Sequence, residues 1–65
     1  MKQQLLAALA RLNQVQREVV LLHDLESWTH AEIAGALNIS EVSSRQHLFQ
    51  ARRQLRELLV EVVHE

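Results

Sequence analysis

Leu5, Leu6, Leu9 and Leu12 return every three or four residues, the period of an amphipathic helix, and predict a first helix over about 3–12. Asn13 interrupts it with a polar, turn-favouring side chain. Val15, Val19 and Leu22, flanked by Val20 and Leu21, form a second stripe and predict a helix over about 15–24, broken by Glu26 and Ser27. The third element has a sharp start. Thr29-His30-Ala31-Glu32 has the form of a capping box, in which the Thr29 hydroxyl accepts from the Glu32 amide and the Glu32 carboxylate accepts from the Thr29 amide. Trp28 before the cap and Ile33 after it have the spacing of a hydrophobic staple. Ala31, Ile33, Ala34 and Leu37 continue a helix over about 30–37, and the small Ala34 and Gly35 are expected to let another helix come close.

Asn38-Ile39-Ser40 is a three-residue turn, and Ser40 is placed to cap a fourth helix over about 41–63. Its apolar positions Leu48, Ala51, Leu55, Leu58, Leu59 and Val62 step by three or four. Continued toward the N-terminus, that seam falls on Ser44, where a core-facing hydroxyl needs a hydrogen bond, for instance to the carbonyl one turn back. Two short helices followed by a tight turn and a long helix predict an all-α, four-helix domain, residues 1–65 as one unit, containing a helix-turn-helix with a long C-terminal recognition helix.

Composition narrows the alternatives. The 65 residues contain no cysteine, no proline and one glycine, which removes disulfides, thiolate metal sites, a cysteine nucleophile and a glycine-rich phosphate loop. Apolar residues reach 48%, but Trp28 and Phe49 are the only aromatics. A chain this short buries only about 60% of its unfolded surface, leaving little room for an enclosed catalytic site. No apolar run approaches 18 residues, so a cytoplasmic protein with no membrane partner is expected. His23, His30, His47 and His64 have no i,i+3 or i,i+4 pairing, so no metal, cofactor or small-molecule ligand is expected, and no enzymatic activity.

The net charge of −1 conceals an asymmetry. Residues 40–56 set Arg45, Arg52, Arg53 and Arg56 against Glu41 alone, whereas Glu57, Glu61 and Glu65 make the C-terminus acidic. The basic stretch coincides with the predicted recognition helix, the element that a helix-turn-helix places in the major groove. Its groove face is Glu41, Val42, Ser43, Arg45, Gln46 and Phe49. Arg45 suits guanine, Gln46 adenine, and Glu41 the cytosine amino group. Glu41 equally suits the helix dipole, and Phe49 is either half-buried against the third helix or an exposed anchor for a protein partner.

The segment THAEIAGALNISEVSSRQHLFQARRQLRELL (residues 29–59) resembles the C-terminal promoter-recognition domain, region 4, of bacterial sigma factors, with the extracytoplasmic-function type nearest. The ordered matches are Leu9, Leu12, Arg17 before Val19-Val20-Leu21-Leu22, Asp24-Leu25-Glu26, Glu32-Ile33-Ala34, Leu37, Ile39-Ser40, Ser43, Arg45, Leu48, Ala51-Arg52 and Leu55-Arg56. Asn13-Gln14 stands where that family has a proline-like helix start. Val42, Ser44, His47 and Gln50 stand where it has Gly or Pro, a branched aliphatic and two arginines.

The resemblance implies binding to the minus-35 promoter element within a sigma factor that directs RNA polymerase. It also implies contact with the flap of the polymerase β subunit, and masking by an anti-sigma factor. It places Arg17, Thr29 and His30 beside the DNA backbone, with Arg52 and Arg53 flanking it further along. Two alternatives remain at this level: a protein-interaction module on the same scaffold with weak or lost DNA contact, and a stand-alone regulator that dimerises through its valine-rich tail.

Overall fold

The computed structural model describes the backbone of residues 2–63 and the side chains of residues 3–59. Four α-helices are observed: α1 (Lys2–Arg11), α2 (Gln14–Val20), α3 (His30–Leu37) and α4 (Glu41–Val63). The predicted bounds hold for α3 and α4. Val60, Val62 and Val63, on which a dimerising tail would depend, lie outside the described side chains, as does His64. Among the described residues, no helix is long and apolar enough to cross a membrane.

Asn13 does more than interrupt. Its side chain accepts from the Gln16 amide at 2.8 Å, and the Gln16 side chain accepts from the Asn13 amide at 3.3 Å, a second capping box that starts α2 without a proline. The C-terminal end of the second predicted helix is corrected. After Val20 the chain widens into a π-helical turn, Leu21–Leu25, closed by the Glu26 amide donating five residues back to Leu21 at 3.2 Å. Trp28 then donates to the Leu22 carbonyl at 3.0 Å across Ser27, whose φ is +63°. A period-based reading does not register the extra residue, because the apolar run Val19–Leu22 gives no sign of it; at the end of the turn Leu25 faces solvent.

Thr29 caps α3 as expected: its hydroxyl accepts from Glu32 at 3.1 Å and its amide donates to the Glu32 carboxylate at 2.8 Å. Asn38 ends the helix in the left-handed region (φ 59°, ψ 46°), and both its amide and that of Ile39 donate to the Ala34 carbonyl. Ser40 then caps α4, accepting from the Ser43 amide at 2.9 Å. The helix-turn-helix is therefore written locally, by two caps and one αL residue.

α4 packs against α1, α2 and α3 in turn, and the core forms along it. Leu12, Val19, Val20, Ile33, Leu48 and Ala51 are buried together, with Trp28, Leu37, Ile39 and Leu55 packed on them. Three expectations change here. Leu5 and Leu6 are exposed rather than part of the core, as is Ala31. Gly35 also faces open space, with nothing within 4 Å of where a Cβ would sit, so close helix approach falls to Ala34 alone. Its φ is negative, so alanine fits the backbone. Gly35→Ala is accordingly expected to stabilise the domain by about 0.5–1 kcal/mol, read as an upward shift of the urea midpoint with unchanged slope.

Candidate nucleic-acid interface

The first turns of α4 present Glu41, Val42, Arg45, Gln46 and Phe49 to solvent. Arg45 and Glu41 form an i,i+4 pair at 3.5 Å, with more than half of each side chain exposed, so it constrains the guanidinium weakly. Phe49 is 65% exposed and Val42 61%, which excludes burial of Phe49 against α3. Val42, Arg45, Gln46, Phe49 and Gln50 line a shallow depression of about 420 Å³. Ser43 is half-buried, with its backbone amide held by Ser40.

A second basic surface follows along the same helix, where Arg45, Arg52, Arg53 and Arg56 surround Leu48 and Phe49. Arg53 approaches Glu57 at 3.7 Å, again as an exposed pair. Arg52 is committed differently. It donates from Nε to Asp24 Oδ2 at 3.0 Å and from Nη2 to Oδ1 at 2.6 Å, a two-pronged bond from α4 to the π turn. The Arg52 guanidinium holds the Asp24 carboxyl below its ordinary range against the upward push of burial, with His23 adding to the lowering.

The remaining candidates have structural partners of their own. Arg17 Nη1 donates to the Leu12 carbonyl at 3.1 Å and to Leu9 at 3.3 Å, satisfying the first at the end of α1 and sharing the second with the Leu12 amide. Thr29 is the α3 cap. His30 turns Nδ1 to the Ser44 hydroxyl at 2.8 Å and stacks its ring on His23, with centroids 4.7 Å apart. The partner of Ser44 is therefore His30, not a carbonyl one turn back. Folding brings together two histidines that have no helical pairing in sequence. Among the described residues no group of three His, Cys, Asp or Glu side chains could hold a metal ion.

Two supporting groups escaped the sequence reading. Gln16, 6% exposed, spends Oε1 on its capping box and donates from Nε2 to Gln50 Oε1 at 3.3 Å, so Gln50 ties α4 to α2. Asp24 organises Arg52 and His23 together. The acidic residue after a leucine-valine run was visible; its partner 28 positions later was not.

A capped α3, an αL turn and a solvent-facing arginine-glutamine pair at the start of α4 form a helix-turn-helix with an open reading face. The family model for sigma-70, region 4, matches residues 2–55, which takes in all three short helices and most of α4. The chain belongs to the sigma-70 region 4 family. Comparison with curated proteins and with solved structures finds no match. Region 4 is the helix-turn-helix domain with which sigma factors bind the minus-35 promoter element in transcription initiation, and it is a non-enzymatic DNA-binding family. In this region 4 domain α3 and α4 are the two helices of the motif, and α1, α2 and the π turn form the body that carries them.

Proposed function

We propose that this chain is the minus-35 reader of a sigma factor of the extracytoplasmic-function type, acting in the cytoplasm with RNA polymerase. The exposed Arg45-Gln46 pair on the opening turns of a helix seated by the Asn38–Ser40 turn carries the reading. With α4 in the major groove, Arg45 donates to a guanine edge and Gln46 pairs with adenine. Glu41, released from Arg45, accepts from a cytosine amino group, while Ser43 and Phe49 flank them. The order Glu32-Ile33-Ala34, Ile39-Ser40, Ala51-Arg52 and Leu55-Arg56 supports the narrower type.

Backbone contacts come from groups around this face. Thr29 sits at the N-terminus of α3, and Arg53 lies on the basic surface of α4. Arg17 and Arg52 each retain N–H groups beyond those spent on α1 and on Asp24. Polymerase contact has a separate surface. Leu5, Leu9, Val20, Leu21, Leu25 and Leu55 line an apolar hollow of about 210 Å³ between α1, α2, the π turn and α4, suited to an apolar helix of the β flap.

Selection from randomised duplexes, followed by fluorescence anisotropy at rising salt, tests the reading. A subset of duplexes is expected to bind, with a log–log salt slope of about −3 for the three arginines on phosphates. Equal binding to every duplex, or to none, removes it. The second reading, a protein-interaction module that an anti-sigma factor covers, draws on the exposed Val42 and Phe49.

A further inference from the structure

Ser44 lies inside the recognition helix, fully buried, at a seam position otherwise occupied by leucine and alanine. A hydroxyl removed from water there needs a partner, and His30 Nδ1 supplies one at 2.8 Å. The His30 ring is stacked on His23, with 24° between planes. His23 Nδ1 is 2.9 Å from Asp24, and Asp24 takes both prongs of Arg52. The polar chain thus leaves α4 at Ser44, passes through α3 and the π turn, and returns to α4 at Arg52. Eight residues separate its two points on α4, about 12 Å along the axis.

The groups facing His30 decide which protonation state this arrangement tolerates. His23 faces it from the π turn, with Asp24 bonded to that ring's Nδ1, and Glu41, Arg45 and Arg52 act on it from α4. An imidazolium at position 30 would lie against another imidazole and near two guanidinium groups, with Glu41 the opposing charge on its own side of the site. Burial lowers the proton affinity of His30 first, His23, Arg45 and Arg52 lower it further, and Glu41 opposes them. With its proton on Nε2 the neutral ring accepts from the Ser44 hydroxyl at Nδ1; a proton on Nδ1 reverses that bond and leaves the buried hydroxyl hydrogen to find another acceptor.

We propose that His30 is a positioning residue for DNA recognition: its neutral ring, bonded to Ser44 and stacked on His23, seats the recognition helix, and protonation unseats it. This rests on the DNA-binding reading above. The sign separates it from a direct phosphate contact. A histidine on phosphate is favoured when protonated, so affinity would rise as the pH falls. A neutral brace is disfavoured by the proton, so affinity falls. The linkage runs the same way for folding: with the folded value below 6.5, the unfolded chain takes up protons first, and stability falls as the pH drops through 6.5 toward the folded value.

The test uses the 65-residue chain, a duplex chosen by selection, and anisotropy at pH 7.5 and 5.5 under constant salt. Wild type is expected to bind severalfold more weakly at the lower pH, in the direction set by the lowered proton affinity of His30. His30→Ala loses affinity at both pH values with an unchanged salt slope. His30→Asn, whose amide can take the place of Nδ1, restores most of that loss and removes the pH component assigned to position 30. Ser44→Ala in the His30→Ala background adds little further loss, because both act through one bond. Urea unfolding followed by Trp28 fluorescence checks that each variant folds, and the pH dependence of its midpoint is expected to flatten in His30→Asn. Affinity that rises on acidification, with a salt slope about one unit shallower in His30→Ala, makes His30 a phosphate ligand and overturns the proposal. A pH response identical in wild type and His30→Asn overturns it as well. If no duplex binds at either pH, the DNA reading itself falls, and the urea arm still decides whether neutral His30 holds the helix in place.

Discussion

Ile33→Ala is expected to remove most of the stability of this domain. Ile33 is fully buried, at the point where α3 meets α4 and the chain following the π turn. Truncating such a side chain costs about 2–5 kcal/mol, from lost transfer energy and from the cavity left behind. A 65-residue chain at 0.05–0.15 kcal/mol per residue has a total of about 3–10 kcal/mol to lose. Urea unfolding monitored by circular dichroism should therefore show the midpoint falling by about 2 M or more, given a slope near 1 kcal/mol/M for a domain of this size. Leu6→Ala is the matched control. Leu6 is 57% exposed, and its removal is expected to stay within about 0.5 kcal/mol. Equal losses at the two positions would mean that the core is not where the structure puts it.

Arg45→Ala is expected to leave the fold intact and remove sequence discrimination. Its pair with Glu41 is long and largely exposed, so the change in stability should lie within about 0.5 kcal/mol. A bidentate arginine-guanine contact discriminates by about 1–3 kcal/mol, which is roughly fivefold to more than a hundredfold in the affinity ratio of selected to scrambled duplex. Anisotropy titrations with both duplexes measure that ratio directly. If selected and scrambled duplexes weaken by the same factor, Arg45 contacts phosphate and the base reading belongs to another residue. Arg53→Ala is the comparison. It should weaken both duplexes together and flatten the salt slope by about one unit.

The parts of this molecule legible in sequence are those governed by neighbours within four positions. Thr29 and Glu32 announce α3, Asn38 ends it, Ser40 opens α4, and Leu48, Ala51 and Leu55 mark the seam. The apolar count was read too generously at Leu5, Leu6 and Ala31, because periodicity says which residues share a face but not whether anything covers it. Gly35 was read as a close-packing residue for the same reason. What the sequence left out depends mostly on distant pairs, with the Asn13–Gln16 capping box and the π turn as local exceptions. Asp24 meets Arg52 across 28 positions, Gln16 meets Gln50 across 34, and His30 meets Ser44 across 14. Ser44 was the one such position to stand out, as a polar residue in an apolar row, and its partner came from the preceding helix.

The site residues divide along the same line. Arg45, Gln46, Glu41 and Phe49 face solvent because the α4 seam, set by local spacing, turns the other side inward. Arg17, His30 and Arg52 each hold the scaffold together through partners five or more positions away, which local spacing does not disclose, while Thr29 is the cap that its spacing announces.

The length of α4 sets a mechanical tolerance. Twenty-three residues at 1.5 Å each make a rod of about 34 Å, and it is hinged to α3 at Asn38–Ser40. Arg56 lies about 22 Å from the start of that rod, where a tilt of about 9° displaces it by about 3.4 Å, the axial rise of one nucleotide. Angular errors at the hinge would thus pull the distant arginines off their phosphates while the reading turns move far less. A rod clamped at Ser44 and again at Arg52 has no such freedom, so register on the duplex becomes a property of its mountings as much as of the side chains that touch the bases.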